Sequence, residues 1–115
     1  MIFSCSLKKN HLFRRLYRKG NRCANRYLVL YQRRNGSGEN RVGITVSAKL
    51  GNAVARNRLR RRLREIYRTH ETSFRRGFDL VAVGRTAAME ADFQSLERAY
   101  LSLAGKLGLL RGDSQ

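Results

Sequence analysis

The stretch GNAVARNRLRRRLREIYR, residues 51–68, contains seven arginines and a single glutamate in eighteen positions. When each residue is placed 100° after the one before it, the apolar side chains fall in one stripe and the arginines cover the remaining surface. The stripe consists of Ala55, Leu59, Leu63, Ile66 and Tyr67. The pattern predicts a long helix that is buried along one side and cationic elsewhere, and against which the rest of the chain packs.

Two interpretations of this cationic surface are open: an ordinary solvated helix face, or a face that binds phosphates. Like charges four residues apart, such as Arg60 with Arg64 and Arg64 with Arg68, repel by roughly a few tenths of a kcal/mol per pair. A sequence that keeps such pairs favours phosphate binding, and a guanidinium can hold a phosphate with two hydrogen bonds. Asn57 either reads a base edge or sugar hydroxyl or fills a helix turn, and its spacing does not decide between these roles.

Strands are indicated on both sides of the long helix. Alternating apolar residues predict a strand at 23–33, a second at 41–47 and a third within 75–84. The Gly-, Asn- and Ser-rich segment 33–40 reads as a hairpin loop, which would make the first two strands antiparallel partners.

Two further helices are indicated near the ends of the chain. Helical spacing predicts a first helix at about 10–18, capped by Asn10, and a last helix capped by Asp92. The inward face of the last helix would carry Phe93, Leu96, Tyr100, Leu103, Ala104 and Leu107. The order helix, strands, long helix, strand, helix predicts an α/β (α+β) two-layer sandwich with a small mixed sheet.

Four aromatic side chains of the first helix and first strand form a second candidate site. They are Phe13, Tyr17, Tyr27 and Tyr31. Leu28 and Leu30 already give the strand a core-facing side, which leaves Val29 and the tyrosines on the other. Ordinary core packing and a groove that stacks unpaired bases are both compatible with this pattern, and the neighbouring basic residues favour the groove.

Length and charge restrict the kind of protein this is. The 115 residues suit one domain, 1–115, and 42% hydrophobic residues indicate a chain that folds. The excess of 25 Lys and Arg over 8 Asp and Glu, a formal charge of +17, implies a polyanionic partner and no small-molecule substrate. Cys5 and Cys23 match neither a disulfide framework nor a metal site. With no apparent signal peptide or membrane span, we expect a cytoplasmic protein that does not bind membranes.

No catalytic group is evident in the sequence. His11 and His70 are not spaced to form an acid/base pair, and the carboxylates are too scattered to hold a magnesium ion. The sequence therefore predicts an RNA-binding protein with no catalytic residue and no metal site of its own.

The segment VGITVSAKLGNAVARNRLRRRLRE, residues 42–65, resembles the arginine-rich signature of the bacterial ribonuclease P protein subunit. Upstream, LKKNHLFRRLYRKG and ANRYLVLY are similar to the first helix and first strand of that family. Downstream, GFDLVAVGR is similar to a later strand, so the resemblance covers about residues 7–107.

The resemblance implies a fold of the ribosomal-protein type, similar to the second domain of ribosomal protein S5. In that fold the long helix joins two parallel strands by a left-handed βαβ crossover, where the general rule would favour a right-handed one. It also implies the protein subunit of a ribonucleoprotein that removes the 5′ leader from precursor tRNA. The RNA subunit performs the hydrolysis with Mg²⁺, which it mainly holds itself, while the protein docks on that RNA and binds the leader.

The resemblance assigns residues to both roles. The residues that it assigns to docking on the catalytic RNA are Arg56, Asn57, Arg58, Arg60, Arg61 and Arg64. The leader-binding cleft falls on Phe13, Tyr17, Val29, Tyr31, Lys49 and Arg85. Two alternatives remain at this stage: a structural ribosomal protein of similar charge and fold, and a nuclease that works without RNA, which the absence of paired carboxylates or histidines disfavours.

Overall fold

The computed structural model describes residues 1–112, which form a five-stranded mixed sheet and three α-helices. In chain order these are β1 (Ser4–Ser6), α1 (Asn10–Lys19), β2 (Asn21–Ala24), β3 (Leu28–Arg34), β4 (Asn40–Thr45), α2 (Ala53–His70), β5 (Phe78–Gly84) and α3 (Phe93–Lys106). The strands lie in the order β1-β4-β5-β3-β2. β4 is parallel to β1 and β5, and β3 is antiparallel to β5 and β2.

Helix α2 is the predicted arginine helix. It begins after Asn52, whose Oδ1 accepts a hydrogen bond from the Ala55 N–H at 2.9 Å and so satisfies one of the free backbone donors of the first turn. The predicted apolar stripe is confirmed by four buried side chains, Leu59, Leu63, Ile66 and Tyr67.

The three helices cover both faces of the sheet. Leu80 and Ala82 of the central strand β5 pack in a large core with α2 and α3. Val81, between them, points the other way and packs under Leu12 and Leu16 of α1. The predicted α/β class with helices on a small mixed sheet is confirmed, and α1 adds a further layer because β5 is apolar on both sides.

The predicted pairing of the two strands that flank the 33–40 loop is wrong. β5 lies between β3 and β4 and hydrogen-bonds to both. The loop passes over the start of β5, where the Asn35 N–H donates to the Gly77 carbonyl at 2.9 Å. The most apolar strand thereby takes the centre of the sheet. β4 and β5 are instead the parallel strands joined by the long helix that the family resemblance implies.

The predicted strand at 23–33 is two strands joined by a turn. Asn25 Oδ1 accepts hydrogen bonds from the N–H groups of Tyr27 and Leu28, both at 3.0 Å, and this contact bends the backbone between β2 and β3. Tyr27 therefore packs against the large core, with the Arg26 guanidinium 5.4 Å above its ring. The prediction that Tyr27 shares a face with Tyr31 is wrong.

An unpredicted edge strand, β1, is anchored by a buried carboxylate. Oε1 of Glu71 accepts from the Ile2 N–H at 2.8 Å, and Oε2 accepts from the Phe3 N–H at 2.9 Å. Burial by itself would raise the pKa of Glu71, but hydrogen bonds from these N–H groups and from Ser4 hold it below its ordinary value. The first residues are thus fixed to the end of α2.

The two predicted helix caps have different outcomes. Asp92 caps α3 as predicted, because its Oδ1 accepts from the Ser95 N–H at 3.1 Å. Asn10 is the first residue of α1 and not its cap; Lys9 precedes the helix and forms no side-chain capping bond.

Candidate nucleic-acid interface

The predicted docking residues surround the first three turns of α2. Asn57, Arg58, Arg61 and Arg64 are exposed, and Arg56 and Arg60 are half-buried at the edge of the apolar stripe. This distribution follows from the 3.6-residue period, because burying the stripe turns the remaining positions toward solvent. The structure therefore brings all six predicted docking residues to one end of one helix.

Three of these arginines are held by backbone carbonyl groups. Arg56 Nε donates to Gly51 at 3.0 Å, and Arg60 Nη2 donates to Val46 at 3.3 Å. Arg58 Nη2 makes a longer contact of 3.5 Å with the carbonyl of Met89. Since each guanidinium has five N–H donors, these contacts fix the side chains and leave further donors for a ligand.

Asn57 has a partner inside the protein. Its Oδ1 accepts a hydrogen bond from Arg60 Nη1 at 2.9 Å. The amide therefore orients Arg60, and its NH₂ group remains available as a donor. Of the two roles that the sequence left open, a local positioning role is the one that the structure displays.

Arg61 and Arg64 are the least committed cations of the helix. Within residues 1–112 neither forms a salt bridge or a side-chain hydrogen bond. Arg68, one turn later, differs because it pairs with Glu65 at 2.6 Å, and hydrogen bonding to Arg68 holds the pKa of Glu65 below its ordinary value. The unpaired charges thus lie in the middle of the helix.

The predicted aromatic residues of α1 and β3 do lie together. The Tyr17 ring meets the Tyr31 ring edge-on at 5.1 Å, and the Phe13 ring lies 6.4 Å from that of Tyr17. Tyr17 is 40% exposed, and its Oη is 2.7 Å from Thr45 Oγ1 of β4. The three rings therefore form a partly open surface on the α1 side of the sheet.

Gly43 of β4 allows α1 to lie this close to the sheet. A Cβ atom at this position would be 2.8 Å from the Phe13 ring and 3.3 Å from Leu7. No side chain fits there, so the ring rests on the strand backbone.

A groove of about 310 Å³ connects the aromatic surface to the arginine helix. We call it the aromatic groove, and it is lined by Asn10, Phe13, Tyr17, Ile44, Thr45, Val46 and Arg60. Sequence reasoning missed the contribution of β4, because it assigned that strand to the wrong neighbour. It also missed that Arg60 faces the rings, a position that depends on how α2 crosses the sheet.

The other four predicted cleft residues, Val29, Tyr31, Lys49 and Arg85, do not line this groove. Val29 is half-buried beside Val83 of β5 and points to the same side of β3 as Tyr31. Lys49 is exposed in a short turn after β4. Arg85 is exposed after β5, and its Nη1 donates to the Asn25 carbonyl at 3.0 Å.

Several carboxylates of the described chain have structural partners. Asp79 accepts two hydrogen bonds from Arg41, at 2.6 and 2.8 Å. Glu97 lies 2.8 Å from Nε2 of His70, a link between α2 and α3 that the sequence spacing did not reveal. Across residues 1–112 no group of three or more His, Cys, Asp or Glu side chains is arranged to hold a metal ion. The donor set does not fit a protein-held magnesium ion.

Two further observations concern the chain as a whole. No helix between residues 1 and 112 has the length and apolar character needed to cross a membrane. Cys5 and Cys23 are both free thiols, the first exposed and the second half-buried.

Comparison with known proteins identifies the family. The sequence profile of the Ribonuclease P family matches residues 3–108. The ribonuclease P protein component of Natranaerobius thermophilus is 42% identical over 106 residues, which make up 92% of this chain and 92% of that protein. The protein component of Alkaliphilus oremlandii is 39% identical over 104 residues, or 90% of this chain and 91% of its own.

Solved structures agree with the sequence matches. The RNase P protein of Staphylococcus aureus superimposes with a TM-score of 0.85 at 31% identity, covering 95% of this chain and 98% of that one. The RNase P protein of Thermotoga maritima gives a TM-score of 0.78 at 32% identity, covering 84% and 92% of the two chains. The chain therefore belongs to the ribonuclease P protein family and is a subunit of the ribonucleoprotein that cleaves precursor tRNA.

Proposed function

We propose that the aromatic groove binds the single-stranded 5′ leader of precursor tRNA while the arginines at the start of α2 dock on the ribonuclease P RNA. The observation that carries this proposal is the position of Arg60, which belongs to the arginine helix and also lines the groove beside Phe13 and Tyr17. A strand bound in the groove would thus lie next to the RNA bound on α2.

The groove has the chemistry that an unpaired strand requires. Tyr17 offers an exposed ring on which a base can stack, and stacking on an aromatic side chain contributes about 1–3 kcal/mol per base without regard to sequence. Arg60 supplies a cation for the connecting phosphates, with Lys49 and Arg85 near the same end of the sheet. Precursor tRNA is the substrate of the ribonucleoprotein, and its leader has unpaired bases.

The docking role suits the arginines of α2. Arg61 and Arg64 have no partner within residues 1–112, so they can be neutralised by phosphates without breaking a bond in the protein. Arg56, Arg58 and Arg60 are held in place by carbonyl groups, which reduces the entropy lost on binding.

The chemistry of cleavage belongs to the RNA in this proposal. Within residues 1–112 no three His, Cys, Asp or Glu side chains come together to hold a metal ion, so the proposal has Mg²⁺ held mainly by the RNA subunit. The protein contributes affinity for substrate and a broader range of substrates. It works in the cytoplasm, where free thiols such as Cys5 and Cys23 remain reduced.

Two pairs of variants separate the two surfaces. Tyr17→Ala and Tyr31→Ala should weaken binding of leadered precursor tRNA to the holoenzyme by about 5- to 150-fold, the equivalent of one lost stacking contact. They should leave the affinity for ribonuclease P RNA unchanged. Arg61→Gln combined with Arg64→Gln should weaken binding to ribonuclease P RNA and leave binding of the leader unchanged. It should also lower the salt dependence of RNA binding by about one to two units of slope. Titrations with labelled RNAs measure both.

Controls come from the chain itself and from the substrate. Tyr17→Phe removes only the hydrogen bond to Thr45 and should retain leader affinity. A leaderless tRNA should bind all tyrosine variants alike. Equal preference for leadered over leaderless tRNA in wild type and Tyr17→Ala would show that the rings are core only. Cleavage by the purified protein without RNA would contradict the division of labour.

A further inference from the structure

A second cluster of arginines lies beyond the other end of α2. Arg34, Arg75, Arg76 and Arg111 are all exposed and, together with Phe78, line a single concavity of about 450 Å³. We infer that this far-end cluster binds the backbone phosphates of a helical segment of the ribonuclease P RNA. The inference rests on the proposed function, because it extends the docking surface from the start of α2 to a separate site.

A small ribbon brings distant parts of the chain together at this site. The Arg75 N–H donates to the Leu109 carbonyl, and the Arg111 N–H donates to the Ser73 carbonyl, both at 2.7 Å. Between these bonds, Phe74 and Leu110 form an antiparallel bridge. Residues that are 36 positions apart, 75 and 111, are thereby held side by side by backbone bonds.

Hydrogen bonds fix the backbone around the cluster before any ligand arrives. Asn40 is fully buried, and its Nδ2 donates to the Arg75 carbonyl at 2.9 Å while its Oδ1 accepts from the Phe78 N–H at 2.9 Å. Arg76 Nε donates to the Gly38 carbonyl at 2.9 Å. A backbone held in this way gives up little further entropy when phosphates bind.

The cluster carries positive charge that the protein does not neutralise. Within residues 1–112 none of its four arginines takes part in a salt bridge. Two carboxylates of the surrounding elements are occupied: Asp79 by Arg41, and Glu71 by the N–H groups of Ile2 and Phe3. Glu39, which follows Gly38, is exposed and forms no salt bridge with the cluster. Four adjacent cations repel one another, and a polyanion that binds them removes this repulsion.

The aromatic rings at this site favour a helical RNA over a single strand. The guanidinium of Arg34 lies 5.4 Å from the centre of the Phe78 ring, and that of Arg76 lies 4.8 Å from the centre of the Phe3 ring. Both rings are less than 8% exposed, so no aromatic face is open to an unpaired base. The far-end cluster thus offers charge without stacking, which suits the phosphates of a duplex.

The position of the cluster favours the ribonuclease P RNA over precursor tRNA. Phe78 packs in the core on the α2 and α3 side of the sheet, and Arg34 stands over it on that side. The rings of Phe13, Tyr17 and Tyr31 lie on the opposite, α1 side of β3. Helix α2 is about 27 Å long at 1.5 Å per residue, so an RNA that contacts both of its ends needs several helical base pairs.

The test compares two variants that lose the same charge. Arg75→Gln with Arg111→Gln removes two charges from the far-end cluster, and Lys19→Gln with Arg98→Gln removes two exposed charges from α1 and α3. The dissociation constant for ribonuclease P RNA is measured at several salt concentrations. We expect the cluster variant to lose about one to two units of salt slope and about tenfold in affinity near physiological salt. The control variant should change little.

A charge-conserving variant excludes a folding defect, and a second RNA ligand identifies which RNA binds the cluster. Arg75→Lys with Arg111→Lys keeps the charge and should keep the salt slope; a loss as large as that of the Gln variant would overturn the inference. Equal losses in the cluster and control variants would also overturn it, because net charge alone would explain them. Weakened binding of leaderless tRNA to the assembled holoenzyme, with RNA docking intact, would overturn it in favour of tRNA.

The same titration separates this inference from the proposed function. Arg61→Gln with Arg64→Gln tests the proposed docking surface on α2 in the identical assay. If that variant alone loses affinity, the far-end inference fails and the proposed docking surface stands. If the cluster variant alone loses affinity, the far-end inference stands and the proposed docking surface on α2 fails.

Discussion

Tyr67 and Tyr100 are buried in the same core but differ in what their hydroxyl groups contact. The Tyr67 Oη lies 2.7 Å from Ser4 Oγ and accepts a hydrogen bond from Asn40 Nδ2 at 3.0 Å. The Tyr100 hydroxyl has no partner within residues 1–112. Burial raises the pKa of both phenols, so both remain protonated. A buried hydroxyl without a partner opposes folding, whereas one with two partners supports it.

Two single substitutions test this difference. Tyr100→Phe removes an unpaired polar atom and should leave the free energy of unfolding unchanged or raise it by about 1 kcal/mol. Tyr67→Phe removes the hydrogen bonds to Asn40 and Ser4 and should lower it by about 1–3 kcal/mol. Urea denaturation of both variants gives the two values. A clear loss of stability in Tyr100→Phe would contradict the assignment.

For single residues, the sequence correctly predicted the face on which a side chain lies where that face depends only on the residue's own helix or strand. Tyr31 lies on the groove side because alternation along β3 places it opposite Leu30. Tyr27 does not, because the side chain of Asn25 captures two backbone N–H groups and turns the chain before β3 begins. Alternation cannot reveal a side-chain contact that interrupts the strand.

At the scale of single elements, α1 and α2 begin differently although an asparagine stands near the start of each. Asn52 caps α2 through the Ala55 N–H, and Asn10 makes no capping bond. Asn52→Ala should therefore lower the free energy of unfolding by about 1 kcal/mol, and Asn10→Ala should change it by only a few tenths, about the scatter of surface substitutions. Thermal denaturation followed by circular dichroism compares the two. Equal losses would show that capping does not distinguish these helices.

Element type was predictable where a pattern was long, and pairing was not. The stripe of α2 repeats over about three turns, from Ala55 to Tyr67, and this period fits only a helix. β4 pairs with β5, which begins 38 residues after the start of β4. Strands that are neighbours in the sequence usually pair, so the sequence favoured β3 as the partner of β4. β1 has three residues, too few for any period to appear. The groove wall formed by β4 was also missed, because the sequence analysis placed β4 beside the wrong strand.

At the scale of the molecule, Glu71 joins the first residues of the chain to the end of α2. Its lowered pKa means that the folded state binds the proton more weakly than the unfolded state does. The carboxylate therefore stabilises the fold above about pH 4.5, the unfolded value, and this contribution is lost as the pH falls through the lower folded value. Acidification should release β1 from its anchor.

A glutamine at this position isolates the effect. Glu71→Gln should be less stable than wild type at neutral pH, because an amide accepts the Ile2 and Phe3 N–H groups less strongly than a carboxylate. The difference between the two proteins should shrink as the pH is lowered from about 6 to about 3, and chemical denaturation across that range measures it. A difference that stays constant with pH would show that Glu71 acts through packing alone.

The central place of β5 also governs how the protein can fold while it is being made. β3, β4 and α2 all precede β5 in the chain, yet each of them packs or hydrogen-bonds against it. Until residues 78–84 have left the ribosome, the nascent chain exposes two strand edges and the apolar stripe of a helix rich in arginine. Chains with such long-range pairing fold slowly and are exposed to aggregation in the meantime. β3 and β4 can take their places beside the central strand only after β5 has emerged.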